Sequence, residues 1–182
     1  MQKMHNPVLT WFSLVLFTLT SSAAFSSVLT PGGQAPKVVL SKDEGGYVGS
    51  EKAFDSSSLA GKLQVIWYVD PDERELNKYA QDKLRAANFP DGSFTSVAIV
   101  NFAATFIPNF ILRGLIEDSQ KENKNTIYVR DLNKVFVKQW GLKDDSSNVI
   151  VLSKDQKVLY SFGGKMDEKE TEKLLSTIRT NI

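Results

Sequence analysis

LQVIWYVDPDERELN, residues Leu63–Asn77, is the stretch that decides the fold. Six apolar or aromatic residues (Leu63, Val65, Ile66, Trp67, Tyr68, Val69) lead into Asp70-Pro71-Asp72-Glu73, after which a helical pattern begins. So short a run, rich in Val, Ile and aromatics, predicts a strand buried on both faces. Asp70 then suits an N-cap, Pro71 a first helical position, and Asp72 and Glu73 a first turn where the helix dipole favours negative charge. The junction is β-to-α at the C-terminal end of a central strand, the place where open α/β sheets put their sites.

Outward from this junction the pattern repeats. Pro71–Asn88 reads as a helix on the spacing of Leu76, Tyr79, Ala80, Leu84 and Ala87. Phe94–Asn101 reads as a second interior strand, and residues 108–123 as a second helix with Phe110, Ile111, Leu115 and Ile116 as its apolar stripe. Residues 126–129 read as a third strand. Asn133–Trp140 is β-branched but stops at Gly141, which reads as a short helix with a glycine at its end. Residues 149–152 and 158–162 flank Ser153–Lys157 as an antiparallel hairpin. Asp167–Arg179 closes the chain as a helix, with Asp167 and Glu170 at capping-box spacing. Upstream, Lys37–Leu40 is a short strand, Gly45, Gly46 and Gly49 predict a turn or a hairpin through Tyr47 and Val48, and Ala53–Gly61 predicts a loop or one helical turn. The fold class is α/β: a central mixed β-sheet flanked by helices, with an antiparallel C-terminal hairpin.

The first 24 residues are read as a separate element. Met1–Val8 carries one lysine, Lys3; Leu9–Leu19 is almost wholly apolar; Thr20–Ala24 is small. That order predicts a secretory signal peptide over residues 1–24, with cleavage after Ala24 or, alternatively, after Ser26 or Ser27. Its apolar run is shorter than the roughly 20 residues a membrane span needs. The expected product is one domain over residues 25–182, exported and free of the membrane once cleaved.

Composition limits the chemistry of that product. The chain has no cysteine, and its one histidine, His5, leaves with the leader. Lys3 leaves too, so 21 cations balance 21 acids, which gives no electrostatic case for nucleic acid. Without His or Cys there is no Ser-His-Asp triad, no thiol nucleophile, no CxxC redox pair and no His/Cys metal site. No cofactor is expected.

Several segments resemble the thioredoxin superfamily, and within it the peroxiredoxin- and TlpA-type branch. Gly33-Gln34-Ala35-Pro36 is similar to the "G-x-x-A-P" opening of that branch, with one intervening residue fewer, and Leu59-Ala60-Gly61-Lys62 to its "L-x-G-K" lead into the central strand. Asn148–Tyr160 is similar to its closing strand pair. Leu59–Lys62, Ala98–Asn101, Ile107-Pro108, Trp140-Gly141-Leu142 and Val149–Asp155, taken in order, resemble the YtfJ-type family of small exported bacterial proteins. That resemblance implies a periplasmic, thioredoxin-like protein of a family with no established activity. Where a thioredoxin carries Cys-x-x-Cys this chain has Asp70–Glu73, and Ser147 or Asn148 falls where the superfamily has a cis-proline. Thiol–disulfide exchange is excluded on both counts.

Two groups of candidate site residues remain. Asp70, Asp72 and Glu73, with Asp144 and Asp145 on a facing loop, could form an acidic mouth for Ca²⁺ or a carboxylate pair for hydrolysis. Capping and dipole complementarity explain the first three without a ligand. Trp67, Tyr68, Phe102, Phe106, Phe110 and Trp140 could line a groove, although 67 and 68 must point to opposite faces. Residues 102–110 (FAATFIPNF) form an apolar loop where polar residues are expected, and either cover the core edge or form a docking patch. The expected binding surface is therefore Asp70, Pro71, Asp72, Glu73, Phe102, Phe106, Pro108, Asp144, Asp145, Ser147 and Asn148. Its expected partner is a periplasmic protein or peptide, with a carboxylate-based hydrolase working at Asp70 and Asp72 as the alternative.

Overall fold

The computed structural model describes residues 29–182; the leader read over residues 1–24 lies outside them. In chain order the strands are β1 (Val39–Leu40), β2 (Gly45–Tyr47), β3 (Phe54–Asp55), β4 (Leu63–Val69), β5 (Phe94–Asn101), β6 (Thr126–Asp131), β7 (Ser147–Leu152) and β8 (Val158–Gly163). The helices are α1 (Lys78–Ala86), α2 (Asn109–Glu122), α3 (Val135–Trp140) and α4 (Glu168–Asn181). Six strands make one sheet in the order β2-β6-β5-β4-β7-β8, while β1 and β3 pair separately. β4, β5 and β6 run parallel, and β2, β7 and β8 are antiparallel to their neighbours. This is the expected mixed sheet with its C-terminal hairpin.

β4 lies between β5 and β7, and six of its seven residues are buried. Its alternation separates two cores. Ile66 and Tyr68 join Val97, Ile99 and Val129 against Phe136 and Trp140 of α3 and against Leu40 and Phe54. Leu63, Val65 and Trp67 join Val149 and Val151 against Ala80 of α1 and Leu174 and Ile178 of α4. On that second face the register places Ala98 and Tyr128 beside Trp67, and Val100 and Arg130 beside Val69. There α2 covers Val100 and Tyr128 with Leu112 and Ile116. Among the described residues no helix is long and apolar enough to cross a membrane.

Three local expectations are corrected. The helix does not begin at Pro71. Residues Pro71–Glu73 form a single 3₁₀ turn, and α1 starts seven residues later, at Lys78. A side chain further along fixes that start: the buried Asn77 donates from Nδ2 to the Gly164 carbonyl at 2.9 Å and accepts the Met166 N–H at 2.8 Å. Those bonds tie the helix to the segment before α4, which Ala80, but not the half-exposed Tyr79, then packs against. Second, Gly45 and Gly46 are not a hairpin turn. They form edge strand β2 against Asp131 and Arg130, where a Cβ on Gly45 would lie 2.0 Å from the Arg130 carbonyl oxygen. Third, the buried face of α2 is Leu112 and Ile116; Phe110, Ile111 and Leu115 are exposed.

Ala53–Gly61, read as a loop or one helical turn, holds the two-residue strand β3 ahead of a 3₁₀ turn over Ser56–Leu59, while the cap readings of α3 and, in part, α4 hold. Gly141 ends α3 at φ +63, the left-handed conformation a helix terminus favours in glycine. Asp167 accepts the Glu170 N–H at 2.8 Å and caps α4. The Glu170 carboxylate does not complete the capping box by reaching back, because it accepts the Tyr160 hydroxyl at 2.9 Å.

Candidate functional site

The parallel strands β4, β5 and β6 run into polar residues at their C-terminal ends: Asp70 directly follows β4, Asn101 closes β5 and Asp131 closes β6, and all three are buried. Asp70 is only 1% exposed. One of its oxygens accepts the Asn101 amide at 2.7 Å and the other accepts the Ser146 N–H at 2.7 Å. The Asp70 N–H in turn donates to the Ser146 carbonyl at 3.0 Å. Asp70 is thus not the cap of a following helix but a strut that ties β4, β5 and the loop before β7 together. Burial pushes its carboxyl above the ordinary range, opposed by those two hydrogen bonds and assisted by the charges of Asp144 and Asp145.

Asp131 does for α3 what the sequence suggested Asp70 would do for α1. Its two oxygens accept the N–H groups of Asn133, Val135 and Phe136 at 3.1, 2.9 and 3.0 Å, and Tyr68 donates its hydroxyl to the same carboxylate at 3.2 Å. Burial and the Asp131 charge push the Tyr68 phenol up. The sequence reading missed Asn101, Asp131 and Arg130. The available signal was that each stands at or beside the end of an apolar strand, where the sheet's polar edge begins. The Arg130 side chain is 4% exposed; Nη2 lies 3.3 Å from the Ser50 carbonyl and 3.4 Å from the exposed Glu51 carboxylate, while Nε and Nη1 have no protein partner.

The acidic group assembles only in part. Carboxylate oxygens of Asp70, Asp144 and Asp145 lie within 4.8 Å of one another, and Asp72 and Glu73 fall outside that set. Lys134 already supplies a cation there, with its ammonium 2.7 Å from Asp144 and 3.9 Å from Asp145. Those pairings push the Lys134 amine up, Asp144 first. Asp72 accepts the Thr105 hydroxyl at 3.2 Å, joining the turn after β4 to the loop after β5.

Ser147 and Asn148 stand at the head of β7, paired with Val69 and Tyr68 of β4. Asn148 closes the preceding loop by accepting the Lys143 N–H and donating to the Lys143 carbonyl, both at 2.9 Å. Ser147 is buried, and its hydroxyl has no protein partner. Among the described residues no peptide bond is cis.

The aromatic group does not form one groove. Tyr68 and Trp140 belong to the α3 core, Trp67 to the opposite core, and Phe102 to the cluster beneath α2. Phe106 is fully exposed, Phe110 is 77% exposed, and Pro108 between them is also exposed. The loop at residues 102–110 therefore anchors through Phe102 and presents Phe106 and Phe110 outward.

Together these features define a class: a thioredoxin-like sheet whose strand ends carry carboxylates and amides in place of thiols, with Asp70, Asn101 and Asp131 each tied to a neighbour by hydrogen bonds. The thiol peroxidase of Chromobacterium violaceum has the same fold, with a TM-score of 0.58, 16% identity and coverage of 88% of this chain and 93% of that one. A family described as "Bacterial protein of unknown function (YtfJ_HI0045)" matches residues 34–181, and the chain belongs to that family. It is 26% identical over 147 residues to the uncharacterized protein YtfJ of Escherichia coli K12, covering 79% of this chain and 77% of that protein. An uncharacterized protein of Haemophilus influenzae is 25% identical over 174 residues, covering 91% and 94% respectively.

Proposed function

We propose that this protein is an exported, thiol-independent docking module that holds a protein or peptide at the C-terminal ends of its parallel strands. The observation that carries the reading is the segment after β5, which sets a fully exposed Phe106 in the loop and, four residues on, a largely exposed Phe110 in the first turn of α2, with Ile111 and Leu115 following on that helix. Large apolar side chains turned outward together mark an interaction surface more often than chance exposure does. The neighbouring Asp70, Asp72, Asp144 and Asn148 hold the loops of that surface in place through hydrogen bonds and ion pairs. Export is supported by the leader pattern of residues 1–24, and independence from thiols by the absence of cysteine. Hydrolysis at Asp70 finds no support, since both carboxylate oxygens are engaged in a buried position.

The test is a double variant, Phe106→Asp with Phe110→Asp, compared with wild type for co-purifying protein after mild crosslinking in the exported fraction. The reading expects an unchanged fold and loss of a discrete partner. Identical capture by both proteins would overturn it, as would recovery of the chain in the cytoplasm with residues 1–24 still attached.

A further inference from the structure

The strands that bury Val97, Ile99 and Val129 completely on one face of the sheet leave Val69, Ala98, Val100 and Tyr128 only half-buried on the other. Two adjoining hollows lie there, between α1 and α2. One, of about 280 Å³, has Trp67, Ala98 and Ser96 in its floor and Arg85 at its rim. The other, of about 300 Å³, has Val100 and Ile107 in its wall and Arg74 at its rim. Gln81 from α1, Asn123 from the end of α2 and the Tyr128 ring line both, so two carboxamides stand at the neck that joins them.

We infer that this trough receives an extended peptide bearing two large apolar side chains two residues apart, with carboxylates flanking them. This rests on the docking reading above and gives the partner its chemistry. Side chains at i and i+2 of an extended chain point the same way about 7 Å apart, so that one can enter each of two hollows that share Gln81, Asn123 and Tyr128 in their linings. The Gln81 carboxamide at the neck offers a donor and an acceptor to the peptide bond between them, while Asn123 Nδ2 already donates to the Ser119 carbonyl at 3.0 Å. The charge is one-sided: each hollow has one arginine in its lining, and among the described residues neither has an acid there. Arg74 and Arg85 meet only exposed Glu75 and Asp82, pairings weak enough to exchange for a ligand carboxylate. The exposed Leu115 lines the second hollow and continues it toward Ile111 and Phe110.

The probe is an array of blocked heptapeptides in which two leucines or phenylalanines alternate with serine, with glutamate at both ends, set against the same array with lysine at both ends. Binding to the purified protein is read by tryptophan fluorescence, to which Trp67 in the floor reports, and by calorimetry. The expected result is saturable binding of glutamate-ended peptides only, weakened on the order of tenfold or more in Ala98→Phe, which fills one hollow. In Arg74→Glu with Arg85→Glu the preference should reverse to lysine ends, a gain that no unfolded variant could show. Absence of saturable binding, indifference to end charge, or full binding by a folded Ala98→Phe protein would each overturn the inference. So would sedimentation as a dimer that Ala98→Phe dissociates, which would give the trough to a second copy. If the arrays fail while the Phe106 and Phe110 positions still capture a partner, the peptide inference falls alone; if both fail, the docking reading falls with it.

Discussion

Removing the Asp70 carboxylate would leave the Asn101 amide and the Ser146 N–H buried without acceptors. Each orphaned donor costs about 1–3 kcal/mol, so Asp70→Ala is expected to lower the denaturant midpoint by at least the equivalent of one of them. Asp70→Asn restores the acceptor for Asn101 but turns a donor toward Ser146, and should fall between the two. Acidity adds a sign. The folded carboxyl titrates above its ordinary value, so its stabilising contribution is fully present below the unfolded value of 3.8 and is lost as pH rises through the raised folded value. The gap between wild type and Asp70→Ala should therefore widen on acidification. Asp55 behaves in the opposite sense: the Lys37 ammonium at 2.8 Å and the Ser57 hydrogen bonds hold it down at about 2, so its contribution is present above 3.8 and is lost as pH falls toward 2. Unfolding curves collected between neutral and acid pH for the two alanine variants separate these signs.

At the scale of the element, the turn after β4 and the edge strand β2 carry distinct expectations. In a thiol enzyme of this fold class, a cysteine placed at a helix N-terminus would have its thiolate stabilised by the dipole. Here the 3₁₀ turn Pro71–Glu73 is separated from α1 by four residues, so that field is not aligned on it. A cysteine introduced as Asp72→Cys is expected to titrate near the ordinary thiol value of about 8.5, as measured by the pH dependence of alkylation. A strongly depressed value would show that the turn acts as a helix end after all. In β2, Gly45 has φ +129 and no room for a Cβ against the Arg130 carbonyl. Gly45→Ala should cost well beyond the ~1 kcal/mol of an unstrained glycine change and should lower the melting temperature accordingly. Both expectations concern elements the sequence reading misplaced. The period of Leu76, Tyr79, Ala80 and Leu84 was real, but the helix start was set by Asn77 binding to Gly164 and Met166, contacts 87 and 89 residues away. Paired glycines read equally as turn or edge strand until the partner, β6, is known. By contrast β4, the β7–β8 hairpin and α4 were legible because their apolar pattern and caps are local.

Across the whole molecule, composition was the most informative feature, since a chain without cysteine has no thiol chemistry whatever its fold. The site was less legible than the scaffold. Its acids were visible as residues, but burial made Asp70 a strut and gave Asp144 to Lys134. The half-covered sheet face depends on how far apart α1 and α2 sit, which no single stretch encodes. What sequence and structure both single out is the loop 102–110 with Phe106 turned to solvent. The direct test of the account places a photoreactive phenylalanine analogue at Phe106 and, in a second strain, at Lys62, which precedes β4 at the opposite end of the strand, and irradiates growing cells. The account predicts a discrete crosslinked partner from position 106 and none from position 62. No adduct from position 106, or the same adducts from both, would contradict it.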